Sequence, residues 1–514
     1  MRIPLPASKL SLIVLAGLCS QAAAQTVDRM WREHCASCHS NDGSGGPKAA
    51  SLLDDEWKTG GSLREMFAAV KTGHKDLGDA AQFDKTLTDP RIWALVNYLH
   101  ELRFQNYRAN DGGPKRESGD VFASQHHRYK IERVVEDGLA TPWSVEFVPD
   151  LGDRTAEPLS GAMLITEKPG KMRVGTLGTD GARATLSAPI EGIPEVSNDG
   201  QGGLMDIALH PNFKENRLVY LSYAEALGGD PKKVMTKVIR GRINPSKGGG
   251  WTWTTDRVIF EARPEHYLSP GVHYGCRIAF DPKDSSILFF AIGERGRMQM
   301  AQDLTRPNGK VHRVKDDGSI PFDNPFASNT GPVYKSIWSY GHRNPQGLVF
   351  DLDGHLWDTE HGPRGGDELN LIIKGRNYGW PVVTYGINYD GNPFGLPWPD
   401  MVGKKEASLD PAVYESDPDA IAMPTYVWLP SIAACGLTVS SGGILPEWKG
   451  DLFAGGLAGL TVQRMRVKDG KVVEREEIVH NEGRVRDVVC GPDGAIYIAV
   501  NQPDAIIRVV PADK

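Results

Sequence analysis

Two cysteines and a histidine stand together as Cys-Ala-Ser-Cys-His at residues 35–39. In a C-x-x-C-H run the two thiols can form thioethers to a haem, and the histidine can become an axial ligand of its iron. In a reducing compartment the same residues would serve zinc or thiol redox chemistry instead. The stretch before them decides: a basic start, an apolar run from Leu10 to Leu18, and Ala22-Ala23-Ala24 ahead of Gln25. Residues 1–24 therefore read as a secretory signal peptide, too short to span a bilayer, and export favours haem attachment. Cys35 and Cys38 are expected to carry the haem covalently, with His39 as proximal iron ligand. Cys19 would leave with the leader, and the bulky Leu18 before it argues against a lipid anchor.

A second set of reactive residue types lies further along, each beside glycines: GQGG at 200–203, GVHYGCR at 271–277, YGHRNPQG at 340–347, EHGPRGGDELN at 360–370, NYGWP at 377–381 and GRVRDV at 483–488. Glycine lets a backbone approach a ligand closely. Any one such segment alone reads as a turn with a solvated charge. Their recurrence on one repeating scaffold points to a shared site.

Two kinds of element must position these groups. Residues 26–105 read as a small helical domain, with helices predicted from Val27 to His34, Ser62 to Thr72 and Pro90 to Phe104, the last with Asp89 as its cap. Residues 106–126 are polar, contain Gly and Pro, lack apolar periodicity and read as a linker. From His127 the texture changes to short apolar runs broken by Pro, Asp and Gly. WSVEFVPD from Trp143, LMDIALHPNF from Leu204, RIAFDPKDSSILFFAIG from Arg277, GLVFDLDGHLWDTEHG from Gly347 and VRDVVCGPDGAIYIAV from Val485 share one hairpin grammar. The turns near Pro149, Pro211, Pro282 and Leu352 recur at intervals of roughly 60 to 70 residues. Five clear units and a divergent one around Gly436 to Val467 predict an all-β six-bladed propeller over 127–514, with a pair of β-sandwiches as the alternative.

The 514 residues, with 58 Gly and 35 Pro, suit several domains rich in turns. Loss of Arg2 and Lys9 with the leader would take the formal charge from −7 to −9. A mildly acidic chain without a basic cluster is a poor binder of nucleic acid or anionic membrane. No later stretch is apolar enough for a membrane span, so the expected location is the periplasm. Cys276, Cys435 and Cys490 are left over, and Cys276 with Cys435 is the pair to test for a disulfide.

Residues 26–105 resemble a class I cytochrome c domain through CASCH and LTDPRIWALVNYLHEL. Such domains supply a distal methionine shortly before the last helix, where Ala80 stands here. His74, or Met66 on the preceding helix, is then the candidate sixth ligand, with a five-coordinate iron as the alternative. Methionine ligation would raise the haem potential.

Residues 130–511 resemble the soluble quinoprotein glucose dehydrogenases, and most of all their aldose sugar dehydrogenase branch. The shared runs are QGGLMDIALHPNF, HYGCRIAFDP, YGHRNPQGLVFD, TEHGPRGGDELNLI with NYGWP, and GRVRDVVCGPDG. The resemblance implies a propeller that uses pyrroloquinoline quinone (PQQ) and calcium. It implies His273 as catalytic base and Arg343 facing the reactive quinone carbonyl. Gln201, Asn344, Arg484 and Arg486 would contact PQQ, the arginines matching its carboxylates. The carbonyls of Gly362 and Pro363 would bind the calcium that bridges protein and quinone, with Glu368 and Tyr378 at a further calcium site; oxygen-only ligation suits that cation. For Glu368 a loop carboxylate capping backbone amides is the alternative. Val272 stands where glucose dehydrogenases carry an acid, and 452–460 lacks the lysine the family often directs at its cofactor.

The combined expectation is an oxidoreductase that takes hydride from an aldose sugar, or a related aldehyde, onto PQQ and passes electrons to its own haem c. A soluble cytochrome or terminal oxidase would accept them next. The alternative is a cofactor-free propeller that binds a sugar or a partner beside an electron-carrier cytochrome.

Overall fold

The computed structural model describes residues 27–54, 57, 60–73, 83, 86–110, 112–153, 157–178, 183–229, 231–392, 396–397 and 421–512. The expected signal peptide, His74 and Ala80 lie outside these residues. The N-terminal part is helical: α1 over 27–34, a single turn α2 at Ala36–His39, α3 at Leu63–Thr72 and α4 at Asp89–Ala109. Helix α3 starts on a reciprocal cap, Ser62 accepting from the Glu65 N–H while the Glu65 carboxylate accepts from the Ser62 N–H. Helix α4 begins at Asp89, the residue expected to cap it. Thr88 holds the extended cap conformation, and Asp89 sits inside the first turn beside Pro90, where its charge favours the helix dipole.

Helix α4 is long because two of its sides are covered. Ile92, Leu95, Val96, Leu99 and Leu102 join Val27, Trp31, Met66 and Phe67 in the helical domain's core. Trp93, Asn97, Glu101 and Arg108, at helical spacing, face the β-domain instead. The same cluster takes in Val383, Tyr385 and Ile387 from that domain, so the two cores are continuous.

Among the described residues the remainder is built on six antiparallel sheets in a ring, with one small parallel pair, Val383–Thr384 with Leu396–Pro397, besides them. Blade 1 is Pro142–Phe147, Met163–Glu167, Lys171–Leu177 and Ala184–Leu186. Blade 2 is Leu204–Leu209, Val219–Leu227, Lys233–Pro245 and Trp251–Phe260. Blade 3 is Ile278–Asp281, Asp284–Ile292, Lys310–Lys315 and Ile337–Tyr340. Blade 4 is Pro345–Phe350, Leu356–Glu360, Asp367–Leu371 and Tyr426–Trp428. Blade 5, the divergent unit, is Ala434–Val439, Leu452–Gly456, Thr461–Lys468 and Lys471–His480. Blade 6 takes Arg484–Cys490, Ile496–Asn501 and Ala505–Pro511 from the end of the chain, and Arg128–Val135 from before blade 1. Ile507 pairs with Arg133 and Val509 with Ile131. This pairing closes the ring and leaves no open edge between first and last blades.

The stretch 106–126, expected as a linker, is partly built into both domains. Helix α4 runs on to Ala109, and a hairpin of Lys115–Ser118 and Val121–Ala123 extends blade 6 outward. Phe122 is buried against Tyr129, an apolar anchor inside an otherwise polar segment.

The innermost strands are tied together by one buried cation. Arg277 of blade 3 donates through Nη1 to Asp206 of blade 2 at 2.8 Å and lies 2.9 Å from Asp487 of blade 6. Its Nη2 donates to the Arg486 carbonyl and its Nε to the Gln346 carbonyl of blade 4, both at 2.7 Å. Asp487 also accepts the Val145 N–H of blade 1 at 3.0 Å, and Asp206 the Ile278 N–H at 2.7 Å. In blade 5, Gly436 fits because a Cβ there would stand 2.6 Å from the Asp487 Cα. Cys276 and Cys435 flank this centre as free buried thiols and do not form the disulfide raised above; Cys435 instead donates to the Val485 carbonyl at 3.0 Å. Removal of one partner from a buried, hydrogen-bonded ion set typically costs about 3–5 kcal/mol, because the others stay buried and unpaired. Arg277→Ala is expected to destabilise the propeller by about that amount, read from denaturant midpoints at an unchanged m-value.

Candidate active site

In each blade the first strand begins, and the second strand ends, at the same rim of the ring. The candidate residues sit on that rim: Gln201 and His273 shortly before the first strands of blades 2 and 3, Arg343 and Asn344 just before that of blade 4, and Arg484 and Arg486 at the start of blade 6. Alternation along a strand points Arg484 and Arg486 to one side, although the ladder shifts register between Val485 and Asp487.

His273 is held by a brace of polar contacts. Its φ of +52°, in a region uncommon for a residue with a Cβ, is fixed from several sides. Gln201 Oε1 accepts its N–H at 2.8 Å, and Asn344 Oδ1 accepts the Gly275 N–H at 3.0 Å. Arg295, fully buried, donates to the carbonyls of Pro270 at 2.8 Å and Val272 at 2.7 Å while stacking on Tyr274. Gln201 and Asn344 thus act on the backbone of the histidine loop. The imidazole Nδ1 makes a short contact with Glu294, which leaves Nε2 to meet a proton from outside. Burial lowers the His273 pKa, Glu294 opposes the shift and Arg343 adds to it, so the ring is neutral near pH 7.

Arg343 is anchored but not saturated. Its N–H donates to Glu360 at 2.7 Å, Nη1 to the His361 carbonyl at 3.1 Å and Nη2 to the Tyr389 hydroxyl at 3.4 Å. Its Nε is buried without a hydrogen bond, as are His361 Nε2 and Glu294 Oε2. His361 is pushed down to about 3 by burial and the positive charge of Arg343, with His273 and Arg486 adding to it. Arg486 donates to Asn501 at 2.9 Å and covers Trp143; burial and Arg484 hold its pKa down at about 10. Lys168, at the end of the second strand of blade 1, feels Arg486 as well.

A cavity of about 300 Å³ opens on this rim, lined by His361, Gly362, Pro363, Arg364, Tyr389 and Glu101, among others. Its floor is a tight loop. Asp367 accepts the N–H groups of Gly362 at 2.8 Å, Ile432 at 2.9 Å and Ala434 at 2.9 Å, and the Ser431 hydroxyl at 2.8 Å. A Cβ on Gly362 would stand 2.1 Å from the Gly366 carbonyl oxygen, so only glycine fits.

Glu368 and Tyr378 lie apart from the cavity, at a buried acidic group. His342, Asp358 and Glu360 have ligand atoms within 4.8 Å of one another. Asn370 bonds Glu360 at 3.0 Å and Glu368 at 3.3 Å, and Tyr378 stacks on His342 at 4.5 Å. Both oxygens of Asp358 are buried without a hydrogen bond. Burial, then the charge of Glu360, pushes Asp358 and Glu368 well above the usual carboxylate range. The Tyr378 hydroxyl is spent on backbone, accepting the Ile373 N–H at 2.9 Å and donating to the Leu371 carbonyl.

In the helical domain, α2 brings Cys35 and Cys38 one turn apart, both as free thiols. His39 Nδ1 lies 3.3 Å from the Ala50 carbonyl, a bond that orients the ring and leaves Nε2 available. Met66 is buried in the domain core.

Sequence reasoning missed Glu294, Lys168, His361, Arg295 and Asp367. The signal was present for the first three: they follow the second strand of a recognised hairpin, whose free ends must lie side by side.

Fold and site together define a propeller oxidoreductase carrying a cytochrome c domain. Residues 139–509 match the family Glucose / Sorbosone dehydrogenase, and residues 22–99 match Cytochrome C oxidase, cbb3-type, subunit III. The chain belongs to the glucose/sorbosone dehydrogenase family. It is 38% identical over 381 residues to Aldose sugar dehydrogenase YliI of Escherichia coli strain K12, spanning 74% of this chain and 92% of that protein. The structure of the soluble aldose sugar dehydrogenase of Escherichia coli in the apo form superposes with a TM-score of 0.61 at 37% identity, covering 74% of this chain and 99% of that one. The PQQ-bound aldose sugar dehydrogenase of Streptomyces coelicolor shares the fold, with a TM-score of 0.53 at 23% identity over 74% of this chain and 97% of that one.

The charges around His273 generate a test. Glu294→Gln removes the group that raises its pKa, so the ring is expected to stay neutral to lower pH. Arg343→Gln removes a charge that lowers it, so protonation is expected at higher pH. Histidine-selective NMR titration reads both shifts.

Proposed function

We propose that this protein is a periplasmic quinohaemoprotein that oxidises an aldose, or a related aldehyde, and passes the electrons to its own haem c. One observation carries the reading: a neutral, carboxylate-held His273 shares a rim with buried, incompletely bonded Arg343, beside a cavity that a haem-domain side chain helps to line. The PQQ-bound relative with the same fold supports that cofactor here.

The residues present fit such a group. PQQ, when bound, supplies a two-electron hydride acceptor that can return its electrons singly. Arg484, Arg486 and Lys168 gather positive charge suited to its carboxylates. The Gly362 and Pro363 carbonyls, on the cavity floor, would hold a calcium ion there. Glu368 borders a buried acidic group whose Asp358 oxygens make no hydrogen bond and face the His342 ring, at 3.6 Å, and a second calcium would balance the excess of acid there. Cys35, Cys38 and His39 would hold the haem.

His273 Nε2 takes the proton of the anomeric hydroxyl while Glu294 steadies the imidazolium that forms. The Arg343 guanidinium stands ready, without reorganising, to stabilise negative charge that develops opposite the base. Gln201, Asn344 and Arg295 keep the base loop in its uncommon backbone conformation, so the imidazole need not be ordered at each turnover. The product of an aldose is a lactone, and that of an aldehyde an acid. A soluble cytochrome or terminal oxidase would then take electrons from the haem.

An aldose added to haem-loaded protein with PQQ and calcium is expected to reduce the haem. His273→Ala is expected to abolish that reduction while the dithionite-reduced spectrum persists; unchanged reduction would overturn the assignment of the base. Chelation of calcium is expected to lower the Tm, since a ligand present at 100 times its Kd contributes about 2.7 kcal/mol. Asp358→Asn is expected to shrink that calcium-dependent shift, followed by scanning calorimetry.

A further inference from the structure

The glucose/sorbosone dehydrogenase family matches residues 139–509, so nothing in that match accounts for how α4 meets the ring. Trp93 Nε1 and Asn97 Nδ2 both donate to the Tyr385 carbonyl, at 2.8 and 3.1 Å. One turn further on, Glu101 receives a two-pronged contact from Arg364, at 2.8 Å from Nε and 2.6 Å from Nη2. Two turns beyond, Arg108 makes a two-pronged contact with Glu477 of blade 5, at 2.8 and 2.6 Å. The pair contacts fix direction as well as distance, because both oxygens of each carboxylate are engaged. Between the two domains the approach is close: a Cβ on Gly365 would stand 2.5 Å from Asn97 Oδ1. Cys35, a haem attachment point in the reading above, packs against the same apolar cluster as Val383, Tyr385 and Ile387. Arg364 stands next to Pro363 in the loop that floors the cavity, and Glu101 itself helps to line that cavity.

We propose that Asn97, Glu101 and Arg108 are positioning residues for electron transfer, seating the haem domain on the segments 361–367 and 381–387 and on blade 5, beside the cofactor cavity. This rests on the reading of that cavity as a quinone site. Oxidation of one aldose to its lactone releases two electrons and two protons. The protons go to solvent through the base, and the electrons pass one at a time, each converting ferric haem to ferrous. A one-electron acceptor outside the protein must reoxidise the haem between the two. A domain swinging on a tether would have to find the rim twice per turnover; a seated one has no search to make.

The test uses the full-length, haem-loaded protein. Asn97→Ala/Arg108→Gln alters two contacts on α4 that lie away from the cavity lining. With PQQ, calcium and an aldose, turnover measured with a small dye acceptor is expected to be unchanged, while haem reduction in stopped flow slows on the order of tenfold. Hydrogen exchange is expected to quicken in 361–367 and 381–387, both in this variant and in Glu101→Gln, with the haem spectrum unaltered. Haem reduction at the wild-type rate would overturn the proposal, as would unchanged exchange in both segments. If the unmodified protein reduced neither dye nor haem, the quinone reading would fall and the electron-transfer role with it; the exchange data would still decide whether α4 is seated there.

Discussion

The buried contact of Arg277 with Asp206 and Asp487 is the constraint on which the rest of the ring depends. Six innermost strands converge on an axis where none can complete a ladder with its opposite neighbour. Their exposed polar ends need partners, and one guanidinium with two carboxylates supplies them across five blades at once. Such a set is expensive to desolvate and adds little stability over an apolar plug of equal volume. Its value is geometric. With the strand starts held in register, Gln201, His273, Arg343 and Arg486 are delivered to one rim from four separate blades. None of these residues is near another in sequence.

The rim is also a place where positive charge is concentrated and only partly answered. Arg343 and Arg486 act on His361, whose burial and cationic neighbours keep it neutral, and Lys168 adds its charge beside Arg486. Isolated buried cations are unfavourable, so an anion with several acceptor groups would be drawn to this rim. The opposite situation holds at Asp358, Glu360 and Glu368, where acid is in excess. The two regions flank the same stretch of blade 4, which therefore separates an anion-seeking surface from a cation-seeking one.

Much of this was legible in the sequence. Period-two alternation broken by Pro, Asp and Gly turns marks a hairpin wherever it occurs, so five hairpins announced the ring, and the glycine-flanked charges marked its functional rim. Blade 5 was harder to read because its LFAGGLAGL stretch carries small residues, fitted to close neighbours such as Val485 and Ile432. Glu294 was missed because its partner lies 21 residues away across a hairpin, and nothing local marks a glutamate as a histidine's support. The outer face of α4 was unreadable for a different reason. Trp93 and Asn97 look like core and surface residues of a free-standing helical domain, and only the second domain shows why both are buried. The same holds for 106–126, whose polar composition hid the apolar anchor Phe122.

The pairing of Arg128–Val135 with Ala505–Pro511 carries a consequence for how the protein is made. The strand that locks the ring is made after the five other blades, while the strand it joins is made before any of them. Through most of synthesis the haem domain therefore precedes an unsealed ring, and its docking surface on blades 4 and 5 is incomplete. A premature stop in the final blade would not remove one sheet from a working molecule. It would leave a cytochrome attached to an unclosed ring, a natural substrate for proteolytic quality control.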